Sequence, residues 1–162
     1  MATDPAPDVV LTPVNGTGKT VEQWLTTFNL LLIVLDPYTN ESAWILQTAL
    51  RIVKTFEQAD CRVAFLVTAG ADDCRRFLGP WADEVLTFAD ADRVAVKSLG
   101  LERLPAIVHL AMDGSVVGAS EGWAPLEWRA VTDNLARVMK WSAPVIPLVK
   151  DPGPFAGSPA LA

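Results

Sequence analysis

Leu30 to Leu35 is an unbroken apolar run closed by Asp36-Pro37, the pattern of a strand buried on both faces of a parallel or mixed sheet. From Asn40 to Gln58, Trp44, Ile45, Thr48, Ala49, Ile52, Val53 and Phe56 recur at three- and four-residue steps, which predicts an amphipathic helix with these residues on its apolar face. Asp36 to Asn40 is then a strand-to-helix turn. Arg62 to Thr68 predicts a second buried strand, and Ala71 to Leu78 a short helix opened by Asp72 and Asp73 and stopped by Gly79-Pro80. Glu84 to Phe88 is short and extended, and Asp90 to Ser98 is helical, ending at Gly100. Leu104 to Leu110 is a strand with proline next to its start, Asp113-Gly114 a two-residue hairpin turn, and Ser115 to Ala119 the antiparallel return. Pro125 to Lys140 closes the chain as a helix with Leu126, Ala130, Val131, Leu135 and Val138 on one face.

Proline and glycine gather at both ends. They divide the chain into a flexible N-terminal segment (1–19), one folded unit (20–142) and a Pro-rich extended tail (143–162). The tail carries the apolar stretch Val145-Ile146-Pro-Leu148-Val149, which suits packing along its own domain, addition to a sheet edge, or docking in another protein's groove. At 162 residues and 51% hydrophobic, the chain can build a core without disulfide or metal. Thirteen Lys and Arg against nineteen Asp and Glu, with the basic residues scattered, argue against nucleic acid as a partner. No apolar run approaches the roughly 20 residues that a membrane span needs, and the acidic start MATDPAPD lacks a basic region before an apolar stretch. A cytoplasmic protein is expected.

The order β-α-β-α, an insert, then β-β-α resembles the thioredoxin fold, an α/β architecture with a central mixed sheet flanked by helices. The detail is similar to the peroxiredoxin and thiol-reductase branch. Three stretches carry the resemblance: residues 30–58; Asp90-x-Asp92 to Leu99-Gly100-Leu101 before Arg103-Leu104-Pro105; and Asp113 to Val117 followed by Gly122. The resemblance implies a cis Leu104-Pro105 bond facing the site. It also implies that the turn after the first central strand should carry Cys-x-x-Cys, or one peroxide-reacting Cys, at a helix N-terminus that stabilises the thiolate.

That turn is Asp36-Pro-Tyr-Thr-Asn-Glu-Ser-Ala-Trp44 and holds no cysteine. Thr39 and Ser42 keep the three-residue spacing, but hydroxyls form no disulfide and need an adjacent base to act as nucleophiles. Thr39 or Asn40 is expected to cap the helix, with Glu41 placed for its dipole. Tyr38, Thr39, Ser42, Trp44, Leu104 and Pro105 form the candidate binding surface, together with Val145, Ile146 and Leu148 of the tail.

Cys61 and Cys74 flank the second strand, which alone separates them by about 20 Å, beyond the reach of a disulfide. Cys74, in a first helical turn beside Arg75 and Arg76, is the candidate reactive thiol. His109, alternating with apolar neighbours in a strand, reads as structural or surface-facing. No His, Cys or carboxylate cluster has metal-ligand spacing, so no metal or cofactor is expected. Gly16-Thr-Gly-Lys-Thr20 ends like a phosphate-binding loop, yet Pro13 stands where its first glycine belongs. Lys19-Thr20 instead begins a short helix through Trp24 and Leu25.

A marked fold with a vacant reactive position suggests a protein without catalytic activity of its own, acting by protein–protein binding as an assembly factor, chaperone or accessory subunit of a larger complex. The alternative is a thiol-dependent oxidoreductase or peroxidase-like enzyme using Cys74. The chain also resembles the cysteine-free thioredoxin-like chaperones of nickel-iron hydrogenase maturation at Leu35-Asp36-Pro37, Arg103-Leu104-Pro105-Ala106 and Gly122-Trp123-x-Pro125-Leu126. That resemblance implies a hydrogenase or other redox-enzyme subunit as partner. A homo-oligomer would use the edge strand Ser115–Ala119 or the tail.

Overall fold

In the computed structural model, which describes residues 1–161, the elements run β1 (Val10–Pro13), β2 (Lys19–Thr20), α1 (Val21–Trp24), β3 (Leu30–Leu35) and α2 (Asn40–Phe56). There follow β4 (Arg62–Val67), α3 (Ala71–Leu78), α4 (Trp81–Glu84), β5 (Leu86–Ala89) and α5 (Val94–Ser98). The last third comprises β6 (Arg103–Leu104), β7 (Ala106–Leu110), β8 (Val116–Glu121), α6 (Pro125–Met139) and β9 (Ser158–Pro159).

The apolar run of β3 is buried throughout, and because side chains alternate across a strand it feeds two cores. Leu31, Ile33 and Leu35 pack with Ile45, Ala49, Ile52 and Phe56 of α2, Cys74 and Leu78 of α3, and Trp128, Val131 and Leu135 of α6. Leu30, Leu32 and Val34 pack on the opposite face with Trp24, Leu25 and the α5 residues Ala95 and Val96. The sheet order is β2-β1-β5-β4-β3-β7-β8, with β3, β4 and β5 parallel and β1, β7 and β8 antiparallel to their neighbours. It is the expected mixed sheet between helices.

The N-terminal end differs from expectation. Residues 1–19 are not loose: β1 pairs with β5 at Thr12–Ala89 and Pro13–Phe88, and Leu11 is buried. Thr3 donates its N–H to Leu99 O at 2.8 Å, so the prolines bend the segment without freeing it. Gly18 belongs to the β1–β2 connection, and Thr20 caps α1 through a reciprocal pair of bonds with Gln23. The tail is extended as expected and lies on its own domain.

Two faces also need correction. On α6 the buried side is Trp128, Val131, Thr132, Leu135 and Ala136, while Leu126 and Val138 are exposed. On α2, Trp44 falls outside the buried face and is 56% exposed. Ile45, Thr48, Ala49 and Ile52 already fill the stripe that a helix of this pitch turns inward.

Candidate functional site

Val34 pairs with Ala106 as the last pair between β3 and β7, so Pro105 stands at the end of the sheet where the chain leaves Leu35 for Asp36. The Leu104–Pro105 bond is cis, as the resemblance implied. The strand-to-helix turn and the loop before β7 therefore meet at one end of the sheet. Asp36 organises the turn. Its N–H donates to Ser42 Oγ at 2.8 Å, its carbonyl accepts from Thr39 Oγ1 at 3.1 Å, and its carboxylate accepts from the Tyr38 N–H at 3.0 Å and from Arg93 Nη2 at 3.0 Å. Thr39 occupies the N-cap position but turns its hydroxyl back to Asp36, and Ser42 is fully buried. Both hydroxyls of the Thr-x-x-Ser spacing thus brace the Asp36 backbone.

The expected patch of Tyr38, Trp44 and Pro105 is divided among three neighbours. Tyr38 donates its hydroxyl to Asp73 Oδ2 of α3 at 2.5 Å, a bond that raises its pKa. Trp44 meets Phe155 of the tail edge-to-face with centroids 5.5 Å apart. Pro105 is buried, its carbonyl accepting the Gly122 N–H at 2.8 Å.

The tail reaches Trp44 through Phe155 and Leu104 through Ser158. Ile146 is buried in the α2 core, Leu148 is half-buried and Val145 is exposed. Asp151 then anchors the chain on α2, accepting from Arg51 Nη1 and Nη2 and from Thr48 Oγ1, each at 2.7 Å. Burial alone would raise its carboxyl, but the bonds from Arg51, the Leu148 N–H and Thr48 outweigh it and hold the pKa at about 2. Beyond Asp151, Phe155 and Trp123 exchange backbone bonds of 3.1 and 2.8 Å, and Trp123 Nε1 donates to Pro152 O at 2.8 Å. β9 pairs antiparallel with β6 at Leu104–Ser158 and Arg103–Pro159, the Ala160 N–H reaches Glu102 O at 2.9 Å, and Arg93 Nη1 donates to Ala160 O. Arg93, at φ 59°, thus joins the Asp36 carboxylate to the tail.

The cysteines lie apart from this groove, and both are free. Cys74 is fully buried and its Sγ–H donates to Ala69 O at 3.5 Å. Burial, then the Asp73 charge, pushes its thiol up to about 11; Cys61 is likewise raised to about 11 by burial and Asp60. The low thiol pKa that a first helical turn can bring is therefore overturned at Cys74. His109 is structural: it is buried, with Nε2 2.8 Å from Asn29 Oδ1. Among the described residues, no group of three His, Cys, Asp or Glu side chains is arranged to hold a metal.

Solved structures share this architecture. A candidate thioredoxin from Neisseria meningitidis matches at 12% identity over 85% of this chain and 92% of that one, with a TM-score of 0.67. The fold is thioredoxin-like. An exposed lipoprotein thioredoxin of Streptococcus pneumoniae matches at 16% identity over 82% and 98% of the two chains (TM-score 0.61). A secreted disulfide oxidoreductase of Mycobacterium tuberculosis matches at 14% over 72% and 85% (TM-score 0.58). No family model matches the sequence, and no curated protein does. Among the described residues no helix is long and apolar enough to cross a membrane.

Sequence reasoning missed Phe155, Gly157, Arg93 and Asp151. The proline-flanked Phe155 was a usable signal. The Asp36–Arg93 and Arg51–Asp151 pairs, separated by 57 and 100 positions, left none.

Proposed function

We propose that this thioredoxin-like protein acts by binding another protein at the Asp36–Pro105 end of its sheet, without thiol chemistry. The observation that carries this reading is the turn itself, which holds no cysteine and spends the Thr39 and Ser42 hydroxyls on the Asp36 backbone. Cys74 offers no substitute, because a thiol with a pKa of about 11 is only about one part in ten thousand thiolate at pH 7. The working role is an assembly factor, chaperone or accessory subunit, and the resemblance to hydrogenase-maturation chaperones points to a redox-enzyme subunit as client.

Turnover of a protein disulfide by the purified chain, with a dithiol as reductant, tests it. The expected rate equals that of the dithiol alone and is unchanged by Cys74→Ala. A rate well above that background which Cys74→Ala abolishes would establish the thiol-dependent alternative.

A further inference from the structure

We infer that the tail from Pro152 to Ala160 is a resident strand in the binding groove, and that the groove's partner is an extended peptide of the same chemistry which replaces it. The inference rests on the protein-binding reading above and adds the ligand class and its control.

The groove supplies mainly backbone groups. Trp123 N–H and O, Leu104 O and Glu102 O receive the tail as a sheet edge receives an added strand, a mode in which backbone bonds give affinity and side-chain pockets give selectivity. Selectivity is legible in the occupant. Phe155 makes a T-shaped contact with Trp44, which is otherwise largely exposed, and Ala160 is buried against the second core. Between them a glycine is required twice over. Gly157 has φ +86°, and a Cβ there would stand 2.5 Å from the Leu104 carbonyl oxygen. Opposite it, Gly122 has φ +71°, and a Cβ would stand 2.5 Å from Ala156 O. The two backbones touch at these positions, so the groove accepts an aromatic residue, glycine two positions later, and a small residue three beyond that.

The same contacts make the tail a competitor. It is covalently attached and held at Asp151, so its effective concentration at the groove is high. A free peptide binds only to the fraction of molecules whose tail is released. Arg93 couples release to the turn, since one guanidinium holds both the Asp36 carboxylate and Ala160 O.

The test uses the full chain and a fluorescent peptide copying residues 151–162. Gly157→Ala, placed in the chain, strains and displaces the tail without altering the groove; Phe155→Ala is a second releasing variant should the first fail to fold. Faster amide exchange at Ala160 in each variant verifies release. The peptide is expected to bind a released variant at least tenfold more tightly than it binds the wild type, and a peptide carrying Ala in place of Gly157 is expected not to compete. Equal binding to wild type and released variants, or none to either released chain, would overturn the inference. A peptide result of that kind leaves the protein-binding reading standing if a partner still co-purifies with the wild type; loss of the partner as well would remove both.

Discussion

His109 sits in β7 opposite Leu31, with Nε2 on Asn29 Oδ1 and Nδ1 without a hydrogen-bond partner. Burial lowers its pKa to about 4, against 6.5 for the free side chain. Between those values the unfolded chain takes up a proton that the folded chain refuses, so stability falls as pH drops through the window, by up to about 3 kcal/mol. His109→Gln can still donate to Asn29 but cannot titrate. Its unfolding free energy, measured in urea at pH 7 and pH 4.5, should decline less than that of the wild type; an equal decline would place the acid sensitivity elsewhere. The alternation of His109 with Val108 and Leu110 placed it in a strand but left a buried and a surface-facing position open, and it is buried. Its partner Asn29, 80 positions away, was not readable from that pattern.

At the scale of elements, the tail behaves as part of the fold. Asp151 is held at a pKa of about 2, so its stabilisation is complete above about pH 4 and is lost as pH falls through 2. Asp151→Ala removes the acceptor of Arg51 and Thr48 and should cost about 2 to 3 kcal/mol at pH 7, with the deficit shrinking toward pH 2. Urea titrations at the two pH values measure it; a loss below about 0.5 kcal/mol at pH 7 would show that the tail is not anchored there. The main elements β3, α2, β4, α3, β7, β8 and α6 were legible from local pattern, a continuous run for β3 and three- and four-residue steps for α2, whereas the short α4 and β6 carry too few residues to show a period. That the Thr39–Ser42 turn and Pro105 lie at one end of the sheet was legible, because β3 and β7 pair antiparallel and end there together. The tail's place was not, because its bonds join backbone atoms far apart in sequence and depend on two glycines that have no periodic signature. Trp44 was misplaced for a related reason, since its aromatic partner Phe155 is 111 positions away by number and outside the helix pattern.

For the whole molecule, architecture and chemistry are separate questions: the fold is shared with solved structures described as disulfide oxidoreductases, and the turn from Asp36 to Trp44 of this chain holds no cysteine. Matched structures include proteins described as secreted and as exposed, so the fold assigns no compartment. The proposed function resides in binding. Affinity purification of the tagged full-length chain from its own host in mild salt, beside Cys61→Ala/Cys74→Ala in the same background, tests this. The same partner, recovered in the same stoichiometry, is expected with both chains. A partner retained only by the wild type, and released from it by reductant as a mixed disulfide on Cys74, would contradict it.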